Sequence, residues 1–228
     1  MLEIVYQDEY LIAINKPHGL LVHRSKIAND ATEFALQMLR DQVGKHVSPV
    51  HRLDRKTGGL LLFAFDKDTE IAMHKQFQES LVVKKYLAIL RGFAPMEMDI
   101  DYPLAKENGT MQDAFTSFVT LQQAEVPIAF GKHDTSRYSL VQATPKTGRM
   151  HQLRKHFAHI FHPIIGDRKH GCNKQNKFFK EQFEMTTMLL HASELIFNHP
   201  VTGNKISLKA DLNDEFNRVM NLMKFTNR

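Results

Sequence analysis

Apolar positions near the amino terminus fall in two short runs, 4–6 and 10–14. Both are β-branched or aromatic and are split by Gln7-Asp8-Glu9, which predicts a hairpin. Pro17-His18-Gly19 turns the chain. Asp30 and Glu33 form a capping box ahead of the pairs Phe34/Met38 and Ala35/Leu39, so a helix is expected over 31–42. Residues 50–53 read as extended. After the turn formers Lys56-Thr57-Gly58-Gly59, the apolar run from Leu60 to Phe65 is too short for a core helix and predicts a strand covered on both faces. A helix over 68–79 and a strand over 82–90 follow, the strand placing Tyr86, Ala88 and Leu90 on one face. Two more strands are expected at 115–121 and 138–143, with 95–113 read as loop because of Pro95, Pro103 and Gly109. Beyond Gly148, Met150, Leu153, Phe157 and Ile160 recur at i, i+3, i+7 and i+10, the stripe of an amphipathic helix. At 100° per residue Arg154 sits roughly 80° from the stripe's centre, half buried, while Lys155 and His159 point to solvent. Strands and helices interleave without a strict βαβ rhythm, and no linker or repeat divides 1–228, so a single α+β domain is expected.

The 228 residues, 43% hydrophobic and 24% charged, have globular composition, which excludes fibrous and disordered classes. The longest apolar run is six residues, far short of the roughly 20 a membrane helix needs. No export signal is visible in MLEIVYQD, so a cytoplasmic location is expected. Cys172 is the sole cysteine and reads as an inert thiol. Net charge is +5, but its placement says more. Residues 131–180 hold eleven Lys or Arg against Asp134 and Asp167, together with six of the thirteen histidines. Such a patch suits a polyanion, although a solvated basic face has the same composition.

Candidate chemistry narrows quickly. His156, His159 and His162 lack a carboxylate partner and an HExxH frame, so no metal is expected. Neither G-x-x-x-x-G-K-[S/T] nor G-x-G-x-x-G occurs, which argues against a nucleotide cofactor, and a G-x-S-x-G elbow is absent. One carboxylate stands out: Asp54, in HRLDRKTGG, lies between Arg52 and Arg55. Cations within about 4–6 Å lower a carboxylate pKa by 1 to 3 units, leaving an ionised group able to attack or to abstract a proton. An aspartate that merely starts a turn would look the same.

HRLDRKTGGLLL at 51–62 resembles the central motif of the RluA-type pseudouridine synthases, usually HRLDxxTSGLLL. INKPHGLLVH at 14–23, KKYLAILRG at 84–92, GRMHQLRKHFAHIFHPIIGD at 148–167 and LHASELIFNHPVTG at 190–203 resemble other family motifs, in the family's order. The resemblance implies a long mixed, largely antiparallel sheet with a central RNA-binding cleft and flanking helices. It also implies the reaction: an RNA uridine loses its C1′–N1 bond, turns over while bound, and gains a C1′–C5 bond, with no cofactor. Asp54 would start the rearrangement, Tyr86 would stack on the flipped base, and Arg154 would pair with Asp54. Arg52 would enter the RNA stack, and Lys146, Arg149, Lys155, Arg168 and Lys169 would meet phosphates.

Three departures from the pattern stand out. Gly58 replaces the usual serine, which puts loop rigidity in doubt; Phe161 replaces a frequent glycine; His170 replaces a frequent tyrosine. No S4-like RNA-binding domain is expected ahead of the catalytic segment, and LVHRS, PKTGRMHQLRKH and HPIIGDRKHG are most similar to members acting on tRNA, at uridine 65. A monomer on tRNA is therefore expected. Another tRNA or ribosomal RNA uridine, and a non-catalytic RNA-binding or chaperone role, are the alternatives.

Overall fold

The computed structural model describes residues 1–24 and 32–225. The elements run β1 (Glu3–Gln7), β2 (Leu11–Lys16), α1 (Ala35–Val43), β3 (Ser48–Pro49), β4 (Gly58–Ala64), α2 (Lys67–Gln78), β5 (Val83–Arg91) and β6 (Glu97–Asp101). They continue with β7 (Leu104–Ala105), β8 (Met111–Gln112), β9 (Phe115–Val126), β10 (Ser136–Pro145), α3 (Gln152–His159), α4 (Asn173–Phe183), β11 (Leu190–Asn198), β12 (Lys205–Lys209) and α5 (Asp214–Leu222). The architecture is α+β, as expected. The chain gathers into two compact units, one of residues 1–84 with 192–211, the other of 85–191 with 212–228.

In the first unit β1, β2 and β4 form an antiparallel ladder, with β3 also on β4 and β12 antiparallel to β11. All seven residues of β4 are buried, as its unbroken apolar run predicts. Leu60 and Leu62 meet Leu11, Met73, Leu195 and Phe197 in one core cluster, and Leu61 and Phe63 on the alternate face are equally inaccessible. Helix α2 starts where Asp66 accepts from the Thr69 backbone at 2.8 Å, and Asp68 and Glu70 in its first turn complement the helix dipole. The predicted hairpin is β1–β2. Asp8 caps its turn, accepting from the Tyr10 and Leu11 amides, the Tyr6 hydroxyl and His199 Nε2. His199 Nδ1 accepts from the Val201 and Thr202 amides, so its proton sits on Nε2, facing Asp8. Residues 50–53 belong to no strand, since the ladder of β3 ends at Pro49. Helix α1 starts at Ala35 rather than 31; Asp30 of the expected capping box lies outside the described residues.

In the second unit the strand order is β5-β10-β9-β6, all antiparallel. Alternation splits its sheet between two cores. Ile89, Tyr138 and Leu140 face α4 and α5 residues such as Phe179, Phe216 and Val219, whereas Ala88, Leu90, Val141 and Ala143 face Leu153 and Phe157 of α3. Tyr86 packs against this second core, on the face expected for it. The segment 95–113, read as loop, holds three short strands. Edge strand β6 (EMDID) buries only Ile100, and its acidic alternation protects an open edge while hiding the strand pattern. Arg154 is more deeply buried than expected, at 7% exposure, because α3 is drawn onto the sheet by two polar side chains. Gln152 donates to the Phe115 carbonyl and Thr116 Oγ1, while buried His156 bridges Thr116 Oγ1 and the Tyr102 carbonyl, both at 3.0 Å.

Candidate functional site

Asp54 opens a β-turn: the Thr57 amide donates to the Asp54 carbonyl at 3.0 Å. The turn reading and the catalytic reading are therefore compatible, since the backbone makes the turn and the side chain is half buried at its mouth. The turn is stitched to the loop after β2. Gly19 N donates to the Arg55 carbonyl at 2.8 Å, and Arg55 Nε donates to the Gly19 carbonyl at 3.1 Å. Behind them lies Lys16, 1% exposed, whose Nζ donates to the carbonyls of Pro17, Leu20 and Arg55. Burial lowers this ammonium to about 7 and the charge of Asp54 opposes that shift, so the lysine clamps the loop and is only partly charged at neutral pH. Lys16 stands inside the INKPHG motif, yet as a lone lysine it carried no chemical signal of its own.

The end of this loop demands glycine at one position. Gly59 has φ +103°, and a Cβ there would stand 2.2 Å from the Ala192 carbonyl oxygen. Gly58, the departure from the family serine, is instead a buried residue of β4, so the strand rather than the side chain fixes this end of the loop. Arg52 is exposed on the same loop.

His51 shapes the other side. Its Nε2 accepts from the Leu62 amide at 3.0 Å and its ring stacks on Phe77 at 4.9 Å. Protonation would set a donor against a donor. Desolvation first, then the charges of Lys84 and His74, lower this imidazole to about 3. The unfolded chain therefore takes up a proton near pH 6.5 that the folded one refuses, and His51 withdraws stability as pH falls from about 6.5 towards 3. His51→Gln is expected to flatten that acid loss, read as the urea midpoint at pH 7 against pH 4.5; an unchanged pH dependence would contradict the assignment.

In the second unit, Arg154 lies in the first turn of α3 and grips Asp167 in a bidentate pair, Nε to Oδ2 and Nη2 to Oδ1, both at 2.8 Å. Asp167 is 1% exposed and also accepts from the Lys169 and His170 amides at 2.9 and 3.1 Å. Burial pulls its carboxyl upward, but the Arg154 hydrogen bonds and these amides hold it below the ordinary carboxylate range. In the sequence Asp167 is one of two acids in a basic stretch and the last residue of the 148–167 motif; its role follows from the fold. Tyr86, half buried, pairs with Ala143 across the β5–β10 ladder and shares the sheet face that α3 covers.

The phosphate candidates divide by tethering. Lys146 is exposed, with Nζ 4.2 Å from the Phe115 ring centroid. Arg149 Nε donates to the Asp113 carbonyl and Lys155 Nζ to the Ala105 carbonyl. Both line an open groove of about 340 Å³ with Met150 and Lys106, a basic residue not expected from sequence. Lys155 is thus tethered beside β7 rather than free in solvent. Arg168 and Lys169 are exposed on the turn that carries Asp167.

Phe161, at the frequent glycine position, has φ +64° and is 88% exposed. A bulky residue in the left-handed region is strained, and here little packing offsets the strain. Phe161→Gly is expected to raise stability by about 1 kcal/mol, a few degrees in thermal midpoint; a lower midpoint would contradict this.

Residues 10–159 match the family model described as RNA pseudouridylate synthase. Curated relatives called tRNA pseudouridine synthase C match almost end to end. The one from Vibrio parahaemolyticus is 45% identical over 96% of this chain and 93% of its own, and the one from Haemophilus influenzae is 42% identical over the whole of both. Among solved structures, human RNA pseudouridylate synthase domain containing 4 superposes with a TM-score of 0.74 at 27% identity, covering 97% of this chain and 93% of that one. Human RNA pseudouridylate synthase domain containing 1, at 21% identity and a TM-score of 0.72 over 99% and 96%, supports the fold. The motif order, the loop that presents Asp54, the α+β fold and near full-length likeness agree, and the chain belongs to the RNA pseudouridylate synthase family.

Proposed function

We propose that this enzyme isomerises a uridine of tRNA to pseudouridine, with uridine 65 as the target and Asp54, Tyr86 and Arg154 as its catalytic residues. The observation that carries the substrate is the near full-length likeness, at 42 to 45% identity, to relatives called tRNA pseudouridine synthase C. Asp54 starts the rearrangement by attacking the sugar or by removing its C2′ proton. The C1′–N1 bond breaks, the base turns over and C5 bonds to C1′ as Asp54 leaves the sugar or returns the C2′ proton; the C5 proton then leaves and N1 takes one up. Because uridine and pseudouridine are isomers, this balance calls for no group donor, oxidant or reductant.

Each side chain has chemistry suited to its task. The Tyr86 ring offers a stacking surface to a flipped base, and Arg154 supplies a fixed cation to the charge handled by the reaction. Arg52, a planar exposed cation, enters the stack that the uridine leaves. Extrusion costs a few kcal/mol, offset by base stacking and by phosphate contacts from Lys146, Arg149, Lys155, Arg168 and Lys169. Neutralising three of these five is expected to weaken RNA binding and flatten its salt dependence; an unchanged slope would remove the patch from the account. The enzyme works as a monomer where tRNA is processed, in the cytoplasm.

The substrate class is tested with RNA carrying tritium at uridine C5, since bond formation at C5 expels the label. Release from unmodified tRNA supports the reading. Release from ribosomal RNA alone would keep the reaction and overturn the substrate.

A further inference from the structure

His151 caps the start of α3 in the left-handed region, with φ +56° and ψ +28°. A side chain there is strained, and such strain persists only where surrounding contacts impose it. One such contact is a second imidazole: His151 Nδ1 lies 2.9 Å from His170 Nε2, the rings meeting at 72°. His170 closes a tight turn over 167–171. Its amide and that of Lys169 donate to Asp167 Oδ1, the Gly171 amide donates to the Asp167 carbonyl, and a Cβ on Gly171 would stand 2.2 Å from that carbonyl oxygen. This turn is therefore fastened to α3 twice, by Asp167 to Arg154 and by His170 to His151, three residues apart on the helix. The first attachment orients the carboxylate; the second holds the turn that carries it at a fixed distance from the start of α3.

We propose that the His151–His170 hydrogen bond is the second strut of the Arg154–Asp167 pair, making His170 a positioning residue whose hold on Arg154 depends on a single shared proton. One nitrogen must donate and the other accept, so the bond survives with one proton between them and fails with two. The charged groups around His170 come from both elements. Arg154 and Lys155 belong to α3, and Asp167 and Lys169 to the turn. Desolvation lowers the His170 imidazole, Asp167 opposes that and the three cations add to it, so a one-proton bridge is kept at neutral pH and is lost in acid once both imidazoles are protonated. A phenol could donate to His151 Nδ1 without titrating in this range, which makes His170→Tyr the informative replacement.

The inference rests on the catalytic role proposed for Arg154, and the experiment separates the two. Tritium release is followed from pH 5 to 8 for the wild type, His170→Phe, His170→Tyr and Arg154→Lys, with kcat and KM resolved. His170→Phe is expected to lose kcat on the order of 10²-fold at nearly unchanged KM, as misdirected catalytic groups do. His170→Tyr is expected to restore most of the neutral-pH rate and to shift the acid limb of kcat to lower pH. An undiminished kcat in His170→Phe, or a wild-type acid limb in His170→Tyr, would overturn the strut, and the tyrosine variant decides if the phenylalanine one fails to fold. Arg154→Lys with wild-type kcat would overturn the role of Arg154 itself, whereas its loss beside an unaffected His170→Phe would overturn the strut alone.

Discussion

Replacing Asp167 with alanine is expected to lower the unfolding free energy by about 3–5 kcal/mol, the penalty for removing one partner of a buried ion pair. The size follows from what the carboxylate holds. Its two oxygens take two Arg154 donors and two backbone amides, with Asp167 at 1% exposure. Alanine would strip the bidentate acceptor from a guanidinium whose residue is 7% exposed and would release the 167–171 turn. Urea unfolding at pH 7 reads the change. The carboxyl is held below its ordinary range, so the pair's contribution is fully present at neutral pH and declines only as acid protonates Asp167. A loss under 1 kcal/mol would mean that the pair contributes no more than a surface ion pair.

Asp54→Asn is expected to reduce turnover by at least about 10³-fold while leaving fold and RNA affinity close to the wild type. The asymmetry comes from the loop. The Asp54 backbone carbonyl, which accepts from Thr57, is unaltered, and the stitches between the turn and the loop after β2 run through Gly19, Arg55 and Lys16 rather than the Asp54 side chain. The amide keeps the shape and loses the negative charge beside which buried Lys16 sits. Filter binding and single-turnover release on the same tRNA separate affinity from chemistry. Equal losses in both would assign Asp54 to binding, and unimpaired turnover would remove it from the catalytic set.

The legible parts of this fold are those where one physical signal dominates. An apolar run flanked by turn residues marked β4, alternation put Tyr86 on the face of Ala88 and Leu90, and the helical stripe marked α3. Strand β6 was hidden because its charged alternation answers to an open edge, and β7 and β8 are two residues each. Helix α4 reads NKQNKFFKEQF, too polar for a clear stripe, and buries Gln175 and Phe179. Helix α5 carries an Asn213 cap and a Phe216/Val219/Met220 stripe, signals that lie beyond the motifs. At the site, Asp54 was conspicuous through its neighbouring arginines. Lys16 and Asp167 were not, because their importance lies in what the fold packs around them: three carbonyls for one, and a guanidinium with two amides for the other.

The most direct test of the central claim is to incubate unmodified tRNA with the wild type and with Asp54→Asn, then map pseudouridine by carbodiimide blocking and primer extension while weighing the RNA. Isomerisation adds no mass, so the tRNA mass is expected to stay unchanged and one wild-type stop to appear at a uridine, position 65, absent with Asp54→Asn. A change in mass, or an equal stop with the asparagine variant, would contradict it.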